Sequence, residues 1–181
     1  MMKRCLPWLV LALALFGCGK KPEDQAPVRV ATPYGSPQEV AAYVQVVDPL
    51  VMQLNTLHRE LYQQVGTSGK ATGANLAAAM ELGRPKLAQV LADLDRLTPP
   101  PLLAPFHQQV KKVVQLRLDA YTQTLDGWKI EKDKGTDFES RYNRGEALLA
   151  EAQQLGGQLG AERGRIQEAL AATQAPAPPS R

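Results

Sequence analysis

Residues 36–65 read SPQEVAAYVQVVDPLVMQLNTLHRELYQQV, and this stretch decides what kind of fold the chain makes. It opens on Ser36-Pro37-Gln38-Glu39, where serine can accept from the third helical amide, proline suits the first helical position, and glutamate can reach back to the cap. Val40, Tyr43, Val44, Val47, Val51, Leu54, Leu57, Leu61 and Val65 then recur at steps of three and four, which lines them up on one helical face. Gly66 and Gly69 mark the end of the stripe. Pro49 removes one backbone hydrogen bond without shifting the phase, so a kink is expected there, or a restart capped by Asp48.

Three further stripes follow. Leu76, Met80, Leu87, Val90, Leu91, Leu94 and Leu97 form the second, interrupted by Pro85 and stopped by Thr98 and the prolines at 99 to 101. Phe106, Val110, Val113, Val114, Leu118, Tyr121, Leu125 and Trp128 form the third, which closes in a solvated segment ending at Gly135. Thr136-Asp137-Phe138-Glu139 is a second capping box, and it introduces Phe138, Tyr142, Leu149, Ala152, Leu155, Leu159, Ile166 and Leu170. No sustained apolar alternation bounded by hairpin turns accompanies them, so strands are not expected. Four amphipathic helices, each too narrow in its apolar face to be buried alone, predict an all-α domain over residues 36–174, folded as an antiparallel four-helix bundle. Helices of roughly 22 to 30 residues would make a rod about 35 to 45 Å long.

The two ends differ from this domain. Lys3 and Arg4 precede an apolar run from Leu6 to Phe16 that is too short to cross a bilayer, and Lys20, Lys21, Glu23 and Asp24 follow it at once. Residues 1–17 thus read as a secretory signal. The sequence Leu15-Phe16-Gly17-Cys18 resembles the lipobox of the bacterial prolipoprotein class. That resemblance implies a diacylglycerol thioether on Cys18, cleavage before it and acylation of the new amino terminus. More than one fatty-acyl chain anchors stably where one does not. It also implies a place in the cell envelope. Gly19 stands where the class carries an aspartate for inner-membrane retention in enteric bacteria, which favours the outer membrane. Residues 18–35, with prolines at 22, 27 and 33 and no period, read as a flexible lipidated tether. The Ala/Pro-rich tail 175–181 reads as disordered.

Chemistry-bearing patterns are sparse. Removing the signal takes Lys3 and Arg4 from the 21 basic residues and leaves 19 against 18 acidic ones, with no basic patch interleaved with aromatics; nucleic acid is not expected as a partner. Lipidation of Cys18 would leave no other cysteine after the signal, so no disulfide or cysteine metal cluster is expected. His58 and His107 lack a second histidine at four residues and any glutamate three residues before them, so both are expected at the surface or its boundary rather than on a metal. Met52, Met80, His58 and His107 leave axial ligation of a haem open, with methionine as core filler the plainer account. Glu60, Asp93, Asp95 and Glu162 fall on polar helix faces, where surface pairing explains them. Phosphate-cradling loops and nucleophile elbows are absent from the sequence.

One pattern stands apart. Gly156, Gly160 and Gly164 recur every fourth residue in the last helix, each at a cost of up to about 1 kcal/mol in helix propensity. They read either as a groove where another helix comes close, from this chain or from a partner, or as a bent and frayed helix. The expected function is therefore that of a non-enzymatic envelope lipoprotein without cofactor, an interaction or structural module that meets envelope proteins or cell-wall components. The alternative is a carrier or sensor holding a small apolar ligand or haem among Tyr43, Phe106, Tyr121, Trp128 and Tyr142.

Overall fold

The structure, a computed structural model, describes residues 31–66 and 72–174. The signal 1–17, Cys18, the tether up to residue 30 and the tail 175–181 lie outside the described residues. Within them the chain is helical, as the stripes predict: α1 (Pro37–Gly66), α2 (Gly73–Asp95), α3 (Ala104–Lys132) and α4 (Phe138–Gln174), with a 3-10 turn over Pro101–Leu103 before α3. No strand occurs among the described residues.

Several local readings change. α1 and α2 run unbroken through Pro49 and Pro85. Asp48, expected to cap a restart, instead pairs with an arginine of α4. At the start of α1 the Ser36 hydroxyl donates to the Gln38 side chain, and the Val40 amide takes the Ser36 carbonyl. The helix thus begins at the expected place on a backbone bond. α2 is capped by Thr72, whose hydroxyl accepts from the Asn75 amide at 3.2 Å. α3 ends where Gly135 donates to the Ile130 carbonyl, yet it is Lys134 that takes the left-handed conformation, at φ 59°.

The contacts between helices follow from the stripes. α3 packs along α4 and α2, while α1 lies against α2 and meets α4 only sparsely. Lys111 of α3 pairs with Asp95 of α2 while the Tyr121 ring meets Gly83, so these two helices run in opposite directions. Gly127 and Lys112 of α3 meet Tyr142 and Glu151 of α4, which gives the same opposed sense. Tyr43 and Leu54 of α1 meet His107 and Arg117 of α3 in ascending order, so these two run the same way. α3 buries twelve residues against four in the longer α4, so the core is organised around α3. Its expected stripe holds, but Leu116, Ala120, Thr124, His107 and Arg117 are also buried, because neighbours cover α3 on more than one side.

The end of the expected tether is a correction. Residues 32–35 form a turn in which the Thr32 and Gly35 backbones exchange hydrogen bonds at 2.9 and 3.1 Å, and the Thr32 hydroxyl accepts from the Tyr34 amide. Gly35 sits at φ +117°, a conformation that side chains rarely permit. Tyr34 projects over a hollow walled by Phe106 of α3 and Gln158, Glu162 and Arg165 of α4, where burial first and the neighbouring Glu162 second hold its hydroxyl pKa above the ordinary value. A proline-rich segment without period looked featureless; the Thr-Pro-Tyr-Gly turn and an aromatic with a seat to fill make it part of the folded unit.

Candidate functional site at the α1, α3 and α4 junction

The glycine track of α4 is open. A Cβ built on Gly156, Gly160 or Gly164 meets no atom within 4 Å, so among the described residues no helix of this chain closes on it. The glycines that do make room for a neighbour are others. At Gly145 a Cβ would lie 2.8 Å from Thr124 Oγ1 and 3.1 Å from the Ala120 carbonyl oxygen, and at Gly127 one would lie 3.1 Å from Arg141 and Tyr142. Both sit eight to ten residues from Gly135, on opposite arms of the α3–α4 hairpin. That symmetry about the turn is the signal that points to them.

Beside the track α4 is tied to α1 by a two-pronged ion pair. Arg163 Nε and Nη2 each donate to a carboxylate oxygen of Asp48 at 2.7 Å, and the Gln167 amide donates to the same carboxylate at 3.2 Å. Both charged partners are part-buried, and the planar fork adds geometric specificity. Next to this tie the two helices leave a cavity of about 80 Å³ between them and α3. Its walls are apolar at Val51, Leu54, Val110, Val113 and Leu159 and polar at Asn55, Arg117 and Arg163, with Gly156 and Gly160 on the α4 side. Arg117 is only 5 % exposed, and its Nη1 donates to the Leu54 carbonyl at 2.8 Å.

A second buried polar cluster sits further along α3. His107 is 3 % exposed, not at the surface as its sequence context suggested. Its Nδ1 and the Tyr43 hydroxyl share a hydrogen bond at 3.0 Å, and the Leu94 backbone at the end of α2 lies close enough to bear on its charge. One imidazole thus ties α3 to α1. Burial, helped by the Lys111 charge, holds its pKa below the ordinary value, against a smaller opposing pull from Asp95. His58 is shifted the same way by burial and by Arg117.

These shifts set a pH dependence. Above about pH 6.5 both histidines are neutral whether the chain is folded or not. Below it the unfolded chain takes up protons that the folded one resists, so stability falls as pH drops through 6.5 toward the lower folded values. The urea midpoint should therefore decline between pH 7.5 and 5.5, where ordinary carboxylates stay ionised. A flat midpoint, or imidazole titrations at or above 6.5 by NMR, would contradict the burial argument.

The remaining candidates resolve into surface chemistry. Glu60 pairs with Lys86, Asp93 with Arg96, Asp95 with Lys111 and Glu162 with Arg165. The Glu162 carboxyl is held below its ordinary range chiefly by the Arg165 hydrogen bond. Met80 is buried in the core and Met52 is exposed. Among the described residues no three His, Cys, Asp or Glu cluster to hold a metal, and no helix is long and apolar enough to cross a membrane. Against known proteins the chain matches no family model, no curated sequence and no solved structure.

Proposed function

We propose that this chain is a bacterial envelope lipoprotein, anchored by fatty-acyl chains on Cys18, whose helices form an antiparallel four-helix bundle acting as a non-catalytic interaction module. The observation that carries the reading is the lipobox Leu15-Phe16-Gly17-Cys18 behind a charged and then apolar start, with polar residues immediately after it. Gly19 favours the outer membrane. The opposed directions of α2 against both α1 and α3, and of α3 against α4, support the bundle. The open track at Gly156, Gly160 and Gly164 supports a partner helix from an envelope protein, because small residues at fourth positions let backbones approach closely.

The test is anchoring. Grown with labelled palmitate, cells should incorporate label into the parent chain and retain it in the membrane pellet, whereas Cys18→Ala should carry none and leave the pellet. Equal pelleting of the two, or an unlabelled parent, would overturn the reading. Crosslinking in native membranes should then enrich an envelope protein or cell-wall fragment over an unrelated lipoprotein. The carrier reading is favoured by the cavity at Arg117. Haem fits it poorly, since drug-sized ligands already need about 300 to 1,000 Å³ and the His107 ring is engaged by Tyr43.

A further inference from the structure

Leu102, in the connection from α2 to α3, is 60 % exposed although the adjoining Leu103 is fully buried. Prolines occupy positions 99, 100 and 101 just before it. A proline run has no backbone N–H to strand outside water, and the Leu103 amide is already spent on the Pro100 carbonyl at 2.9 Å. The edge made by Pro101, Leu102 and Pro105, all exposed, can therefore leave water with few unmatched donors. Its place in the fold matters more than its exposure. Leu102 walls the same hollow as Tyr34, so the exposed leucine lies on the flank where the chain enters the folded unit. Tyr34 is a half-buried ring with a polar tip, the kind of side chain that suits a membrane–water boundary. From Cys18 to Thr32 the chain spans at most about 45 Å, so on an anchored chain this flank is the one held closest to lipid. The nearby cations Arg165, Arg96 and Lys111 are each paired with an acid, which leaves apolar contact rather than net charge to supply the attraction.

We propose that the Pro99–Leu102 connection, with Tyr34 beside it, seats in the headgroup layer of the phospholipid membrane that carries the Cys18 anchor, holding the domain down on its α3–α4 flank. The seat rests on the lipoprotein reading, because one leucine and a few prolines are too little apolar surface to recruit a domain from solution. A covalent tie this short makes the contact intramolecular, at an effective concentration on the order of millimolar. The orientation has a consequence for α4. At 3.6 residues per turn, Gln158, Glu162 and Arg165 lie about 170° around the helix from Gly156, Gly160 and Gly164. A domain seated on the first set presents the open glycine track away from that contact.

The test uses the protein purified from membranes with its lipid, leucine methyls labelled, in phosphatidylcholine vesicles and nanodiscs with and without nitroxide-headgroup lipid. The protein should float with the vesicles, and in nanodiscs the nitroxide should broaden the Leu102 methyls while sparing those of Leu82. Leu82 is the matched control, 61 % exposed, and the adjoining Gly83 meets Tyr121 about 22 Å along α3 from Phe106. Leu102→Ser, at a position exposed enough to spare the fold, should lower the ratio of seated to free domain by about tenfold, read at the Tyr34 amide. Leu82→Ser should leave that ratio unchanged. Raising salt from about 0.1 to 1 M, which shortens the screening length from about 10 to 3 Å, should leave the broadening in place. A protein that floats yet shows equal broadening at Leu102 and Leu82 would overturn the seat and leave the anchor standing. One that does not float would overturn the anchor and the seat with it. Loss of the broadening in salt would overturn the apolar contact, and Leu102 shifts that grow with protein density without nitroxide broadening would assign the edge to a second copy of the chain instead.

Discussion

Replacing Tyr121 by alanine is expected to cost about 3 to 5 kcal/mol, which for a domain of this size lowers the melting temperature by roughly 10 to 15 °C. Tyr121 is 1 % exposed and heads the largest fully buried side chains, on the helix that organises the core. Its ring occupies room that α2 provides by carrying no side chain at Gly83, where a Cβ would come 2.8 Å from Tyr121 Cε2. The two positions should therefore be coupled. Gly83→Ala alone sets a clash against a gain in helix propensity, but in the Tyr121→Ala background only the gain of up to about 1 kcal/mol remains. Calorimetry of the four proteins in that cycle checks both statements. A Tyr121→Ala protein melting within about 3 °C of the parent would refute the central place given to α3.

Gly145→Val should separate α3 from α4 and cost about 3 kcal/mol, the upper end of ordinary overpacking. Even an alanine there meets Thr124 Oγ1 and the Ala120 carbonyl at distances that real side chains avoid, and a carbonyl of the helix backbone cannot swing aside. Gly160→Ala on the same helix has open space and should gain up to about 1 kcal/mol from propensity alone. Opposite signs from Gly145→Val and Gly160→Ala, read as shifts in urea midpoint, are the expected result. If both variants were stabilised, the close approach of α3 and α4 at Gly145 would be untrue.

That pair of glycines also shows where sequence reasoning stops. The periodic track at 156, 160 and 164 is conspicuous as a pattern, yet periodicity says only that three positions share a face, not that anything lies over it. Gly145 is inconspicuous, and its importance comes from register: once Gly135 ends α3, Gly145 and Gly127 fall at similar distances along the two arms. The helices themselves were legible because Val40 to Val65, and the three stripes after it, repeat with a helical period that tertiary packing had only to exploit. Which helix becomes central was not, since the stripe of α3 is no wider than the others. His107, Arg117 and Thr124 are buried through neighbours that the local pattern does not contain. For the same reason Asp48 looked like a cap: its partner Arg163 lies 115 residues away. The cavity at Arg117 needs three helices at once, and no single segment announces it.

The turn at Thr32–Gly35 changes the mechanics of the proposed attachment. Cord running from Cys18 to a knot at residue 32 is at most about 45 Å long, well below the reach of a leash ending at the first turn of α1. Tension from the bilayer would then be delivered sideways through Tyr34 onto the Glu162 and Arg165 flank of α4 instead of along the axis of α1. Such a tug would orient the helical domain, holding one flank toward the lipid and leaving the opposite flank to sweep the space beyond.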